Sequence, residues 1–125
     1  GEDLVMGNRA LLGWVLENLI KNAAAACAWK DVDSTISVTC DNNPDDAGMV
    51  TILVSDDGIG IPYSNQGRIF KAGFTTRKGG WGLGLSLARR IVEEYHSGSI
   101  RLLSSVPDKG SVFAVKLPLC RSNEC

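Results

Sequence analysis

The run Met49–Pro62, MVTILVSDDGIGIP, places a strand directly before two carboxylates and two glycines. Val50, Thr51, Ile52 and Val54 are β-branched, and Met49–Ser55 predicts a strand. Asp56 and Asp57 follow at its end. Gly58 and Gly60 then give a turn that a second backbone or a flat ligand can approach closely. An Asp at such a strand end either accepts a hydrogen bond, for example from an exocyclic amine, or simply opens a common Asp-Gly turn.

Outward from this run, the polar stretch Asn42–Gly48 reads as a turn, so Thr35–Cys40 (TISVTC) predicts an antiparallel partner strand. Further upstream, Leu12, Val15, Leu16, Leu19, Ala23 and Cys27 recur at helical spacing, predicting a helix from Asn8 to about Trp29. Downstream, Asp56–Trp81 is glycine-rich and lacks apolar periodicity; a long loop of this kind in a compact domain is usually functional. Gly82–Tyr95 predicts a second amphipathic helix, with Leu83, Leu87, Ile91 and Val92 on one side and Arg89, Arg90, Glu93 and Glu94 on the other. Ser99–Val106 and Ser111–Leu117 predict two more strands joined by the turn Pro107–Gly110. The sum is an α+β fold: helices on one face of a mixed, mostly antiparallel sheet.

The chain has 125 residues, room for a single domain over 1–125. Thirteen Lys and Arg against fourteen Asp and Glu leave a charge of −1, which argues against a nucleic-acid or anionic membrane surface as the main business of the domain. No apolar run approaches the ~20 residues that span a bilayer, and no signal peptide is visible. The four cysteines, Cys27, Cys40, Cys120 and Cys125, are too scattered for a zinc or redox motif and read as free thiols in a reducing cytoplasm. Gly1–Asp3 reads as a cut end. Glycine, at 14 residues, exceeds the average share of about 7%.

Three segments carry chemistry. In Glu17-Asn18-Leu19-Ile20-Lys21-Asn22 the two Asn are four residues apart, so their amides project from one helical face. An amide oxygen suits Mg²⁺, which fills the rest of its shell with phosphate and water; the alternative is that both amides face solvent. Asp56–Pro62 is the second segment. In the third, Gly79-Gly80-Trp81-Gly82-Leu83-Gly84-Leu85 leads into a helix and offers backbone N–H groups to anionic phosphates. It lacks the G-K-[ST] of a Walker loop and the preceding strand of a Rossmann fingerprint.

In this order and spacing the three segments resemble the N, G1 and G2 boxes of the GHKL superfamily, which includes gyrase, Hsp90, MutL and histidine kinases. Arg68–Arg77 (RIFKAGFTTR) resembles the F box of bacterial sensor histidine kinases, and Lys109–Pro118 (KGSVFAVKLP) their final strand. The resemblance covers nearly the whole chain and implies a Bergerat-type α/β sandwich with a mobile ATP lid over roughly Pro62–Trp81. It implies ATP and Mg²⁺ as cofactors, Asp56 on the adenine amine and Asn22 on the metal. Asn18 and Lys21 join Asn22 as catalytic residues. Gly58, Gly60, Ile61, Phe70, Thr75, Thr76, Arg77, Lys78, Gly80, Gly82, Leu83, Gly84, Leu85 and Ser111 complete the ATP-binding set.

One position separates branches of the superfamily. Its ATP-hydrolysing members carry a water-activating Glu four residues before the metal-binding Asn; here that place holds Asn18. Glu17 lies about 100° around the helix and reads as an i,i+4 partner of Lys21. The resemblance thus implies transfer of the γ-phosphoryl group to a histidine on the protein's own dimerisation domain, in a homodimeric two-component kinase with a response regulator as its further partner. Neither nucleic acid nor direct membrane contact is implied for this domain, which reads as cytoplasmic. The sole histidine, His96, reads as a turn residue and not a phosphoacceptor. Trp81 stands where Thr is common, and Ala72-Gly73 where Pro-Phe is common. Such a lid also fits a nucleotide-responsive module that binds ATP or ADP without transferring phosphate.

Overall fold

The computed structural model describes residues 4–5, 9–28, 34–41, 48–71 and 84–120. Its strands are β1 (Leu4–Val5), β2 (Ile36–Asp41), β3 (Met49–Asp56), β4 (Ser99–Val106) and β5 (Gly110–Cys120). Helix α1 spans Arg9–Cys27, α2 Tyr63–Gln66 and α3 Gly84–Arg90, the last continuing into a π-helical turn over Ile91–Tyr95. Each strand expected from the sequence is present within a few residues of its expected bounds. β1 and α2 were not anticipated.

Strand β5 is the axis of the sheet. β3 pairs along one edge; β4 and then β1 pair along the other, and β2 lies outside β3. All these pairings are antiparallel, so among the described strands the sheet is antiparallel throughout and not mixed. Register places Ile52, Val115 and Ile100 in one cross-strand row and Val54, Phe113 and Leu102 in the next. Directly opposed side chains share a face, and this face is the apolar one. Helix α1 covers it with Val15, Leu19, Ala23 and Cys27, all buried and each one turn beyond the last. Ala88, Ile91 and Val92 of the second helical segment close the core beside them.

The π turn explains His96. Widening the helix leaves the Ile91 carbonyl available to the imidazole, whose Nδ1 lies 2.8 Å from it. Ser97 then takes a left-handed φ of 54°, and the Gly98 N–H caps the Val92 carbonyl at 2.9 Å. His96 is 5% exposed and closes a helix end, in keeping with its reading as a turn residue.

The expected lid needs correction at its start. Pro62–Lys71 is packed: α2 is followed by turns in which the Arg68 N–H donates to Asn65 and the Lys71 N–H to Arg68. Ile69 is buried in the main core, and Phe70 meets Phe113 edge-on with centroids 6.2 Å apart. Two apolar side chains within a glycine-rich stretch suffice to fix its first half. The remainder, 72–83, lies outside the described residues.

Candidate functional site

Strand β3 ends on Asp56, whose Oδ1 accepts the Gly58 N–H at 2.9 Å and closes an Asx turn. The chain then passes very close to two other segments. A Cβ on Gly58 would stand 2.6 Å from the Ala26 carbonyl carbon and oxygen of α1, and one on Gly60 would collide with the Val106 carbonyl at the end of β4. Gly60 also has φ +73°, which favours glycine. Hydrogen bonds lock both approaches: Ile59 N–H to Ala26 O at 2.9 Å, and Asp108 N–H to Ile59 O at 2.7 Å. The second backbone admitted by these glycines is therefore the protein's own: they let the turn after β3 meet the end of α1 and the end of β4.

Asp57 forms a separate clasp. Its Oδ1 accepts the Thr35 N–H at 3.0 Å and lies 3.6 Å from the Cys27 thiol, which joins the start of β2 to the end of α1. Burial pushes the Cys27 thiol up from its ordinary pKa; a hydrogen bond with Ser34 opposes this, and the Asp57 and Asp56 carboxylates add to it. Cys27 and Cys40 are both free thiols, as their spacing indicated.

Across the sheet, Asp56 opposes Ser111, and Ser111 opposes Ser105. The Ile61 N–H donates to Ser105 Oγ at 2.7 Å, and Ser105 Oγ and Ser111 Oγ are 2.8 Å apart. The Gln66 amide donates to the carbonyls of Ile61 at 2.9 Å and Ser105 at 3.2 Å. Neither Ser105 nor Gln66 stood out in the sequence. Two serines in a strand look like solvent-facing residues until the pairing register is known.

On α1, Asn18 and Asn22 are both half-buried. A Cβ on Gly84 would lie 2.7 Å from Asn18 Oδ1, so the first residue of α3 rests directly on the Asn18 amide. The first and third segments singled out in the sequence thus meet in space. Lys21 pairs with Glu17 at 3.1 Å on the exposed side of α1, as expected, which leaves Glu17 away from the amide face. Ile61, Phe70 and Leu85 pack against the core, and the Arg89 guanidinium lies 5.5 Å over the Phe70 ring. Phe70 is thereby an anchor of the main core. Thr75, Thr76, Arg77, Lys78, Gly80, Gly82 and Leu83 lie outside the described residues.

Among the described residues, no three His, Cys, Asp or Glu gather into a metal cluster. A divalent ion beside α1 meets neutral amide oxygen. That donor type suits Mg²⁺, whose shell phosphate and water complete, and Asn18 and Asn22 are the amides α1 offers for it. Helices of the described residues are too short or too polar to cross a membrane.

Comparison with known proteins bears on the same elements. The family model described as histidine kinase-, DNA gyrase B- and HSP90-like ATPase matches residues 7–121. The chain is 38% identical over 121 residues to the adaptive-response sensory kinase SasA of Rippkaea orientalis, covering 94% of this chain and 29% of that protein. It is 36% identical over 124 residues to the signal transduction histidine-protein kinase AtoS of Escherichia coli, covering 92% of this chain and 18% of that protein. The chain thus spans less than a third of these curated relatives. Among solved structures, the catalytic domain of the histidine kinase ThkA superposes with a TM-score of 0.75 at 32% identity, covering 91% of this chain and 70% of that one. The mycobacterial sensor histidine kinase MprB gives 0.75 at 26% identity, covering 92% and 76%.

Proposed function

The chain belongs to the histidine kinase-, DNA gyrase B- and HSP90-like ATPase family, alongside the catalytic domains of sensor histidine kinases, and we propose that it binds Mg·ATP and donates the γ-phosphoryl group to a histidine on its own dimerisation domain. The observation that carries this reading is the contact of Gly84 with Asn18. It puts the helix that follows the glycine-rich segment against the position where hydrolytic relatives would need a Glu. An amide cannot take a proton from water, so the site is suited to holding phosphates and unsuited to activating water against them.

Within this reading, the Asp56 carboxylate accepts a hydrogen bond from the exocyclic amine of adenine. Its side chain is oriented by the Gly58 N–H. The Asn22 amide oxygen ligates the metal, and Asn18 orients the phosphates one turn away. Lys21 reaches the phosphates by exchanging Glu17 for them, an exchange that costs little at an exposed pair. Arg77 and Lys78 supply further positive charge. Bound Mg²⁺ neutralises phosphate charge during transfer. Positioning and electrostatics are all the protein must provide, since the attacking imidazole comes from the acceptor. The partners are the dimerisation domain of the same homodimeric kinase and a response regulator, on the cytoplasmic side.

Three measurements test this. The 125-residue protein is expected to bind ADP and Mg·ATP calorimetrically while releasing phosphate very slowly, and to label a histidine-containing dimerisation domain from [γ-³²P]ATP. Brisk phosphate release without acceptor would remove the transferase reading. Tight binding with no transfer to any supplied acceptor would leave a nucleotide-responsive module.

A further inference from the structure

We propose that the open edge of β2, with the apolar groove between that strand and α1, docks an extended basic segment of a partner polypeptide, which joins the sheet as a further strand.

The backbone makes the first half of the case. Among the described strands β2 is last in the sheet; its six residues pair with β3 in unbroken register and with no strand beyond. Just before it, the Thr35 N–H donates to Asp57 Oδ1, on the β3 side. Backbone groups along a strand turn alternately to its two neighbours. Thr35, Ser37, Thr39 and Asp41 therefore turn theirs to β3, and Ile36, Val38 and Cys40 turn N–H and C=O to the open edge. β4 is treated differently: a register shift between Leu102 and Ser104 breaks its ladder, and the Gln66 amide bonds its Ser105 carbonyl. Bulges, prolines and lysines are how proteins blunt an edge against pairing. β2 carries no bulge, Pro or Lys.

The side chains make the second half. Register sets Val38 in the row of Val54, Phe113 and Leu102, and Cys40 in the row of Ile52, Val115 and Ile100. These are the core-facing rows, and Ile36 shares their face. Yet Ile36 is 37% and Val38 48% exposed, and Cys40 is exposed as well. The apolar face of the sheet thus runs out to its edge uncovered. Helix α1 gives the groove its other wall. Ile20, 39% exposed, lies two turns from Cys27 on the same side of the helix, and Cys27 is the residue that meets Asp57 at the start of β2. Ile20 is also about 200° around α1 from Asn18 and Asn22, so the groove is separate from the amide face.

Charge selects the occupant. In sequence, β2 is bracketed by Asp31 and Asp33 on one side and by Asp41, Asp45 and Asp46 on the other; Lys30 is the only base from 30 to 46. The whole chain carries only −1, so the acid is concentrated around this edge. A second copy would bring acid toward acid: antiparallel pairing about Val38 sets Asp41 of each copy toward the Asp33 end of the other. A basic segment reverses that penalty. In strand addition, main-chain bonds supply affinity and alternate side chains supply specificity. The fitting partner is an extended segment with apolar residues at alternate positions and Lys or Arg at its ends.

The experiment uses the 125-residue protein in reductant and three fluorescein-labelled peptides: KRVTVTVKR, its acidic counterpart EDVTVTVDE, and KRVTPTVKR, whose proline breaks pairing. Anisotropy should show binding of the first, weakened by added salt, and about 10-fold or weaker binding of the other two. With the first peptide bound, the amides of Ile36, Val38 and Cys40 should gain protection from hydrogen exchange. Val38→Pro removes an N–H that faces the open edge, where a strand tolerates proline, and should bind about 3- to 10-fold more weakly. If melting shows Val38→Pro to be unfolded, Val38→Lys, which sets a cation against the basic partner, should lose at least as much. Thr39→Ala alters the opposite face and should bind like the parent. Absence of binding, equal affinity for the basic and acidic peptides, unprotected amides, or unchanged affinity in a folded Val38→Lys overturns the proposal. A dimer seen by sedimentation and lost in Val38→Lys would give the edge to a second copy and overturn it too.

Discussion

Replacing Gly58 by Ala tests how the pocket is built. The added methyl would stand 2.6 Å from the carbonyl carbon and oxygen of Ala26 and 2.8 Å from its Cβ. Two of those atoms are helix backbone, so relief requires the last turn of α1 or the turn after β3 to move by roughly an ångström. Overpacking of this kind costs about 1–3 kcal/mol. The Ile59 N–H to Ala26 O bond, 2.9 Å long, spans the same gap, and its loss adds about 1 kcal/mol. Gly58 does not share the positive φ of Gly60, so Ala gains about 0.4–1 kcal/mol from a less flexible unfolded chain. The net loss is about 1–3.6 kcal/mol. For a domain of 125 residues, each kcal/mol shifts the melting temperature by about 4 °C, giving a fall of about 4–14 °C by scanning calorimetry. Gly67→Ala is the control, because no atom lies within 4 Å of its Cβ position; it should melt within about 2 °C of the parent. A Gly58→Ala variant that melts with that control would refute the argument.

The other predictions separate binding from stability. Asp56→Asn retains an oxygen to accept the Gly58 N–H but loses the charge, so ADP affinity should fall about 10- to 150-fold in a calorimetric titration with little change in melting; unchanged affinity would remove Asp56 from the base. Asn22→Ala should weaken Mg·ATP binding much more than binding of ATP in a chelator, and equal losses would make Asn22 structural. The Cys27 thiol is held above its ordinary pKa by burial, so above about pH 8.5 the unfolded chain carries fewer protons than the folded one and stability falls as pH rises. The drop in melting temperature between pH 8 and 10 should therefore be smaller in Cys27→Ala than in the parent, and identical drops would count against that origin.

The sequence made the strands and both long helices legible because their periodicities are strong: Val15, Leu19, Ala23 and Cys27 form a ridge one turn apart, and all are buried. It also marked Asn18, Asn22 and Asp56 as candidates, since they stand at distinctive spacings. What stayed hidden depends on register and packing. Of the two partners open to Gly58 and Gly60 in the sequence, a second backbone or a flat ligand, packing supplies the backbones of α1 and β4. Ile69 and Phe70 anchor what reads as open loop, because two apolar residues carry no period. Ser105 faces inward only through a bulge that no local pattern announces.

These hidden features share a cause, which bears on how the pocket responds to change. Its walls come from segments far apart in the chain, and they meet where side chains are smallest: Gly58 on Ala26, Gly60 on Val106, Gly84 on Asn18. At the first two contacts the neighbour is main chain, which can yield only by shifting a whole turn or strand end. At the third it is a flexible amide, which can rotate. Substitutions at Gly58 and Gly60 should therefore reduce stability and nucleotide affinity together. Gly84→Ala should leave melting nearly unchanged and act on Asn18, and so on the phosphate end of the ligand. The matching contrast is between ADP and ATP: displacing the Asn18 amide should weaken Mg·ATP more than ADP, whereas distorting the base pocket at Gly58 should weaken both alike. Equal losses of the two nucleotides in Gly84→Ala would mean that this contact serves packing alone, and the phosphate role of Asn18 would fall with it.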